Sequence, residues 1–295
     1  MEWILNCYNQ FPVLYYTYIF ILGLLVGSFL NVVIYRLPVM MEKGFKRDYL
    51  EYFSPDSEEL AKLKTEEKFN LVVPRSRCPK CGHLISAMEN IPVISWLFLR
   101  GKCLKCKLPI SFRYPSIELL SAFLTLTVAF FFPPSIKLVG AVILTWSLIS
   151  LTFIDFDKML LPDEITQPLL WLGLIINAVD GYVSLKGAVI GATLGYLSLW
   201  SVYWAFKIIT GKEGMGYGDF KLMAVVGAWF GYQMLPIAIL LSALVGAVIG
   251  ITYKVIVRES ASKPIPFGPY IAVTCYTIML FGNEINNWYL SLILR

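Results

Sequence analysis

Uncharged apolar stretches alternate with short polar breaks along most of this chain, and one long polar segment interrupts them in its first half. The first apolar stretch covers residues 13–34, a run of 22 residues without a charge, which is enough for a helix to cross a bilayer. No basic cluster precedes this stretch and no small-residue cleavage site follows it. We therefore interpret it as a retained first helix and not as a signal peptide.

Apolar segments return after residue 115, separated by short breaks that contain Pro, Gly or charged residues. Their predicted ranges are 116–132, 136–154, 165–179, 188–206, 222–232, 236–256 and 271–281. The pattern predicts an all-α polytopic membrane protein with about eight transmembrane or half-spanning helices. Gly191, Ala192 and Gly195 are expected on one helix face, where small residues allow a neighbouring helix to approach closely.

The composition agrees with a membrane protein. Hydrophobic residues make up 57% of the chain and charged residues 15%, whereas soluble domains contain about 45–50% and about 25%. These values exclude a disordered protein, a fibrous protein and an ordinary soluble enzyme. An aromatic content of 15% favours helices with interfacial aromatic belts over the strands of an outer-membrane barrel.

The polar segment 36–115 differs from the rest of the chain. It contains 15 Lys and Arg residues and 9 Asp and Glu residues, which gives it a net charge of +6. We predict three domains: a first transmembrane helix over 1–35, a soluble insertion over 36–115 and a membrane-embedded core over 116–295.

Lys and Arg residues are distributed unevenly between the two sides of the membrane that the predicted spans define. One side receives 22 of them and the other side receives 3. Because basic residues concentrate in cytoplasmic loops, the insertion is expected in the cytoplasm and both chain ends outside it.

Four of the six cysteines form two CxxC pairs, Cys78 with Cys81 and Cys103 with Cys106. Two such turns can close a tetrahedral zinc site, which would stabilise a segment too small to build its own core. Four sulfur ligands leave no open position, so the zinc would be structural. A pair of disulfides or a redox site is the alternative, and a reducing cytoplasm argues against it. His83 is expected beside the site and not as a ligand.

The other two cysteines, Cys7 and Cys275, are interpreted as ordinary membrane-embedded thiols.

Two aspartates stand out at the predicted membrane face, where acidic residues are rare and usually functional. Asp155 directly follows an apolar run, and Asp219 follows three closely spaced glycines. By the predicted topology both lie at cytoplasmic helix ends, although 64 residues separate them. Gly216 and Gly218 are expected to allow positive φ and the close approach of another segment.

The remaining carboxylates of these two regions are interpreted as loop groups that face water: Asp157, Asp163, Glu164 and Glu213.

A pair of aspartates can activate a water molecule if one is ionised and the other protonated, because two adjacent carboxylates do not both ionise easily. Asp155 is expected at the C-terminal end of its helix, where the helix dipole disfavours an anion. Asp219 is expected just before its helix, where the dipole favours one. The hypothesis is that Asp219 is the base and Asp155 the acid.

Six motifs occur in order along nearly the whole chain. They are GSFLNVVIYRLP at 27–38, the two CxxC pairs, ENIP at 89–92, ID at 154–155 with LPD at 161–163, GYGD at 216–219 and PFGP at 266–269. With these motifs the chain resembles the bacterial prepilin peptidases, the type IV leader peptidase family of GxGD aspartic proteases.

The resemblance implies an enzyme of the bacterial inner membrane. It would cleave the basic leader peptide from type IV prepilins and type II secretion pseudopilins, after a glycine and at the cytoplasmic face. It implies Asp155 and Asp219 as the catalytic residues and the four paired cysteines as ligands of one Zn²⁺. It also implies N-methylation of the new N-terminal residue with S-adenosylmethionine, although the insertion has no glycine-rich Rossmann loop.

The expected partners are the two substrate classes and membrane lipids, whose anionic headgroups the basic insertion would bind. No nucleic acid is expected.

Three other functions remain open from the residues. A presenilin-type protease for signal peptides would share the GxGD aspartate but would not need a zinc insertion. A membrane scaffold could use the zinc module to recruit a partner. A transporter could use the aspartates to carry protons, although the spans show no repeat.

Overall fold

The computed structural model describes residues 2–65, 68–257 and 265–293, and the regular elements in these ranges are helices. The α-helices are α1 Glu2–Gln10, α2 Pro12–Phe53, α3 Glu58–Thr65, α4 Ile94–Phe98, α5 Arg113–Phe131, α6 Ile136–Lys158, α7 Asp163–Asp180, α8 Leu185–Thr210, α9 Tyr217–Phe230, α10 Leu235–Val257 and α11 Gly268–Ile293. Two short 3₁₀ helices cover Met88–Asn90 and Tyr232–Met234.

Within the described ranges, five helical segments are long and apolar enough to cross a membrane: Pro12–Phe53, Arg113–Phe131, Ile136–Lys158, Leu185–Thr210 and Tyr232–Gly250. The predicted fold class, an all-α polytopic membrane protein with helices of both full and shorter length, is therefore confirmed. The apolar runs predicted after residue 115 each lie within or largely within one observed helix.

Helix α2 continues far beyond the apolar run that predicted it. It is 42 residues long and contains Pro38 without ending there, because a change from apolar to polar side chains does not itself terminate a helix. Arg36 is buried in this helix, and its guanidinium donates hydrogen bonds to the carbonyl oxygens of Asn70 at 2.9 Å and Pro74 at 2.7 Å. The first residues of the predicted insertion are thus helical.

The chain divides into two compact units. The N-terminal unit comprises Val13–Leu126, and the core unit comprises Met1–Pro12 with Thr127–Arg295. Packing therefore groups α2 with the polar segment that follows it, whereas polarity alone separated them at residue 35.

Helix α9 lies at the centre of the core unit. Its 14 residues extend about 21 Å, which is less than the roughly 30 Å of a bilayer core. Every residue from Phe220 to Phe230 except Lys221 is buried. Helix α9 is thus an internal helix whose sides are covered by other helices of the unit.

Small residues allow α8 to pack directly on α9. A methyl group added to Gly191 would collide with the carbonyl oxygen of Gly227, and one added to Gly195 would meet the backbone of Met223. The small-residue face predicted on this helix is therefore confirmed at both glycines.

Hydrogen bonds between α7 and α9 hold the C-terminal end of α9 in place. The side-chain amide of Asn177 donates to the carbonyl oxygens of Ala228 at 2.8 Å and Trp229 at 3.0 Å. The fully buried Trp229 indole donates to the carbonyl oxygen of Leu169 at 2.9 Å. The two Asn177 bonds satisfy carbonyl groups that the end of α9 leaves unpaired, and all three bonds tie the helix that carries Asp219 to α7.

Candidate functional site

Asp155 lies in the last turn of α6, as the sequence predicted, and only 5% of its surface is exposed. Its Oδ2 atom accepts a hydrogen bond from the backbone N–H of Gly268 at 3.0 Å. Gly268 is the first residue of α11 and belongs to the PFGP motif. A third chain segment therefore holds the Asp155 carboxylate, which is a role for the PFGP motif that its sequence alone does not indicate.

Asp219 lies in the first turn of α9 and is 7% exposed. The sequence placed it just before the helix, whereas it is the third helical residue after the N-cap Gly216. Its Oδ2 atom accepts a hydrogen bond from the backbone N–H of Gly216 at 3.2 Å. The carboxylate thus closes the N-terminal turn, and such an arrangement satisfies one of the helix's free N–H groups.

The expected positive φ at the GYGD glycines is wrong. Gly216 has φ −84° and Gly218 lies inside α9, while the described glycines with positive φ are Gly82, Gly101, Gly211 and Gly231. The expected close approach is correct, because a methyl group added to Gly218 would lie 2.7 Å from Cβ of Leu161. Glycine is needed here for space and not for its dihedral freedom.

The two aspartates are brought into one region of the core unit. Leu161 touches the backbone of Gly218, next to Asp219, and the backbone of Gly268, which binds Asp155. The two carboxyl groups interact electrostatically. The arrangement offers two buried carboxyl groups from different helices, each with one backbone N–H donor, which suits general acid–base chemistry on a water molecule.

Two of the carboxylates expected to face water are paired with lysines. Asp163 at the start of α7 accepts two hydrogen bonds from Lys221 of α9, each at 2.7 Å. Glu213, in the loop before α9, accepts from Lys207 at 2.8 Å, and this bond lowers the pKa of Glu213. Both carboxylates are exposed, but the pairs also connect neighbouring elements around the aspartates.

The four cysteines of the CxxC pairs form one cluster in the N-terminal unit, and their Sγ atoms all lie within 4.8 Å of one another. The Sγ atoms of Cys78 and Cys106 are 3.6 Å apart, and those of Cys81 and Cys103 are 4.0 Å apart. Tetrahedral zinc with Zn–S bonds of about 2.3 Å needs sulfur atoms about 3.8 Å apart. The thiols are free, and their spacing fits one metal ion.

Two turns with the same hydrogen-bond pattern present these thiols. The N–H of Cys78 donates to His83 O at 2.9 Å, and the N–H of Gly82 returns to Cys78 O at 3.0 Å. The second pair repeats both bonds, with Cys103 N–H to Leu108 O at 2.8 Å and Lys107 N–H to Cys103 O at 3.0 Å.

Gly82 has φ 67° and Lys107 has φ 59° at equivalent positions. The sequence predicted the turn role of the glycine but gave no signal for the lysine.

Backbone donors prepare the first thiol for metal binding. The N–H groups of Cys81 and Lys80 lower the pKa of Cys78 to about 6, which favours the thiolate that binds metals.

The His83 ring lies outside the thiol cluster and pairs with Glu89, whose Oε1 is 3.0 Å from Nε2 of His83. The backbone N–H of Ser86, its hydroxyl and His83 lower the pKa of Glu89 to about 2.

A buried carboxylate anchors the loop after the ENIP motif, and sequence reasoning missed it. The backbone N–H of Val93 donates to Oε2 of Glu118 on α5 at 2.7 Å. Val93 has φ 61°, which is unfavourable for a β-branched residue. The sequence does contain a signal for this carboxylate, because Glu118 is a single acidic residue within an apolar span.

Comparisons with known proteins cover both parts of the chain. Residues 21–132 match the bacterial peptidase A24 N-terminal domain, and residues 142–251 match the type IV leader peptidase family. No solved structure matches the chain.

Similar curated proteins extend over nearly the full length. The chain is 54% identical to a protein of Aeromonas hydrophila over 99% of both chains. It is 52% identical to one of Stutzerimonas stutzeri and 49% identical to one of Pseudomonas aeruginosa, over 92% of each chain. All three are named prepilin leader peptidase/N-methyltransferase.

Proposed function

Because the chain belongs to the type IV leader peptidase family, we propose that it cleaves the basic leader from type IV prepilins and type II secretion pseudopilins and methylates the new N-terminal residue. The observation that supports the proteolytic part is that Leu161 lies against Gly218, next to Asp219, and against Gly268, whose N–H donates to Asp155. The names of the relatives support both activities.

In the proposed cleavage, a water molecule between the two carboxyl groups attacks the carbonyl carbon of the peptide bond. The ionised aspartate accepts a proton from the water, and the protonated aspartate donates its proton to the amide nitrogen. A C–O bond forms and the C–N bond breaks, which yields a carboxyl group on the leader and an amine on the pilin. The two aspartates exchange protonation states during this turnover.

The base is Asp219 and the acid is Asp155 in this proposal. Asp219 lies in the first turn of α9 and Asp155 in the last turn of α6, so the helix dipoles favour an anion at the first position and disfavour it at the second. Infrared difference spectra of Asp155→Asn and Asp219→Asn test this assignment. The protonated-carboxyl band should disappear in Asp155→Asn, and its loss only in Asp219→Asn would reverse the roles.

The cleavage reaction is tested with purified enzyme and a prepilin in detergent. We expect Asp155→Asn and Asp219→Asn each to lose at least about a thousandfold in kcat/KM, because neither carboxamide can replace its proton transfer. Asp157→Asn is the matched control, since Asp157 is exposed at the same end of α6. Normal cleavage by either Asp155→Asn or Asp219→Asn would refute the two-aspartate mechanism.

The thiol cluster is proposed to hold one structural zinc through Cys78, Cys81, Cys103 and Cys106. Free thiols at tetrahedral spacing support this ligand set. The ion would stabilise the two turns that present the thiols and would leave no coordination position for substrate.

The methyl donor is proposed to be S-adenosylmethionine, as the N-methyltransferase names of the relatives suggest.

The proposed location is the bacterial inner membrane, with the insertion and the catalytic aspartates at the cytoplasmic face. The distribution of Lys and Arg, 22 on one side against 3 on the other, supports this orientation. The basic insertion would bind anionic lipid headgroups at that face.

A further inference from the structure

Two short segments of the polar insertion carry exposed apolar side chains, and we call them the apolar tips. The first is helix α4, where Leu97 is exposed and Phe98 is 85% exposed. The second is the bend over residues 70–74, where Val73 is exposed and Val72 is 79% exposed. Neighbouring apolar side chains that are exposed in a polar segment indicate a contact surface for protein or lipid.

Helix α4 is held at the depth of the membrane-spanning helices. A methyl group added to Gly27 of α2 would lie 2.7 Å from Cα of Glu118 on α5, so these two residues share one level. Gly27 precedes Ile34, where the first apolar run ends, by seven residues, or about 10 Å of helix. The Glu118 carboxylate accepts the N–H of Val93, directly before α4, at 2.7 Å. The start of α4 is therefore held beside the last turns of the apolar run.

The bend 70–74 is held at the end of the same apolar run. Arg36 follows Ile34 by two residues, which is about 3 Å along α2, and it is buried. Its guanidinium donates to the carbonyl oxygens of Asn70 at 2.9 Å and Pro74 at 2.7 Å. The two exposed valines lie between these anchored residues, so they lie at the boundary between the apolar run and the polar segment.

Exposed basic residues follow both apolar tips. Arg75 and Arg77 come after the bend, and Arg100 and Lys102 come after α4. Apolar side chains beside exposed cations suit the cytoplasmic leaflet, where the side chains reach the acyl chains and the cations meet anionic headgroups. The same cations would repel the basic leader of a prepilin, so the charge favours lipid over substrate at this surface.

We propose that both apolar tips insert into the cytoplasmic leaflet, so that the insertion is attached to the membrane surface at two points. This inference rests on the proposed function, because it takes the insertion to lie at the cytoplasmic face. It goes beyond the binding of headgroups by basic residues, since it assigns the contact with acyl chains to Val72, Val73, Leu97 and Phe98.

The test places the photoreactive residue p-benzoylphenylalanine in place of Phe98 in the full-length enzyme. The enzyme is reconstituted in vesicles of phosphatidylethanolamine and phosphatidylglycerol and illuminated, and mass spectrometry measures the fraction that carries a phospholipid adduct. Phe53 is the matched control position, since it is also an exposed phenylalanine and lies at the end of α2, 19 residues beyond Ile34. We expect at least about tenfold more adduct at Phe98, because Phe53 lies about 28 Å beyond the apolar run along its helix, outside the bilayer.

Val72 is the second position for the photoreactive residue, and it should show the same excess over Phe53. Equal adduct at the control and at either tip overturns the two-point contact. Adducts to a co-reconstituted prepilin in place of lipid also overturn it and assign the surface to the substrate. If one variant does not fold, the neighbouring position Leu97 or Val73 replaces it under the same criteria.

The failure of this inference is distinguishable from a failure of the proposed function. The wild type and the photoreactive variants are assayed in parallel for prepilin cleavage. Normal cleavage without an excess of phospholipid adduct at the apolar tips refutes only their contact with the membrane. Absence of prepilin cleavage by the wild-type enzyme refutes the proposed function, whatever adducts are found.

Discussion

A side chain at residue 268 has no room, because the carboxylate of Asp155 lies directly beside the Gly268 backbone. A methyl group there would be 2.6 Å from Oδ2 of Asp155, which is closer than atoms can pack. The same residue donates its N–H to that oxygen atom. Gly268 is therefore a positioning residue for Asp155 in the proposed reaction.

Gly268→Ala should lower kcat for prepilin cleavage by about tenfold to a hundredfold with a smaller change in KM, because it displaces a carboxyl group that acts in the transition state of the proposed reaction. The measurement is steady-state cleavage in detergent. Gly282→Ala is the control in the same helix, where an added methyl would make an ordinary contact at 3.4 Å from Ile278. Equal activity of both variants would show that Asp155 does not depend on this backbone position.

At the scale of single elements, the short helix α9 depends on its neighbours. It cannot cross a bilayer by its own length, and the other helices supply both its apolar surroundings and the partners of its terminal groups. The Asn177 side chain of α7 binds the carbonyl oxygens of Ala228 and Trp229 and accepts the N–H groups of Tyr182 and Val183. One amide thus connects the end of α9 to the loop before α8.

Asn177→Ala should destabilise the core unit by about 2–4 kcal/mol, because it leaves several buried polar groups without partners. The expected observation is a clearly lower midpoint of thermal unfolding in detergent. Asn287→Ala, an exposed position on α11, should stay close to the wild type. A midpoint for Asn177→Ala equal to that of this control would contradict the stabilising role of Asn177.

At the scale of the whole molecule, the four clustered thiols and the two aspartates belong to different compact units. The thiols belong to the N-terminal unit and the aspartates to the core unit. Each arrangement is stabilised by hydrogen bonds and contacts within its own unit. The proposed metal site and the proposed catalytic residues are accordingly open to separate tests.

Purified enzyme should contain about one equivalent of zinc, and Cys78→Ser should reduce it below about half, because a tetrahedral thiolate site needs all four ligands. Elemental analysis gives the metal content. Cys275→Ser is the control, since Cys275 is buried in α11 outside the cluster and its loss should not change the metal content. A wild-type content below about half an equivalent would contradict the proposed zinc site.

The proposed orientation predicts which ends of α8 react with a membrane-impermeant maleimide added to spheroplasts. Lys186→Cys lies in the first turn of α8 and Lys212→Cys just after the helix, and both positions are exposed. Only Lys186→Cys should be labelled before lysis, because its end faces outside and Lys212 faces the cytoplasm. Labelling of the wild-type chain gives the background from the native thiols. Labelling of Lys212→Cys alone would contradict the proposed orientation and indicate the opposite one.

The sequence by itself determined the class of the molecule and indicated the residues that we propose carry its chemistry. Long uncharged runs require membrane helices because peptide groups in lipid must be hydrogen-bonded internally. The spacing of the CxxC pairs indicated a cluster of four thiols, and the isolation of Asp155 and Asp219 among apolar residues marked them as candidates. These signals are local, and each is contained in a few adjacent residues.

Only the tertiary structure decided how distant segments meet. The N–H of Gly268 reaches Asp155 across 113 residues, and Leu161 lies between two glycines that its own sequence neighbourhood does not contain. The guanidinium of Arg36 on α2 donates to the carbonyl oxygens of Asn70 and Leu71, which lie 34 and 35 residues further along the chain. Such contacts depend on which backbone groups the fold brings together, and hydropathy and motif spacing carry no information about that pairing.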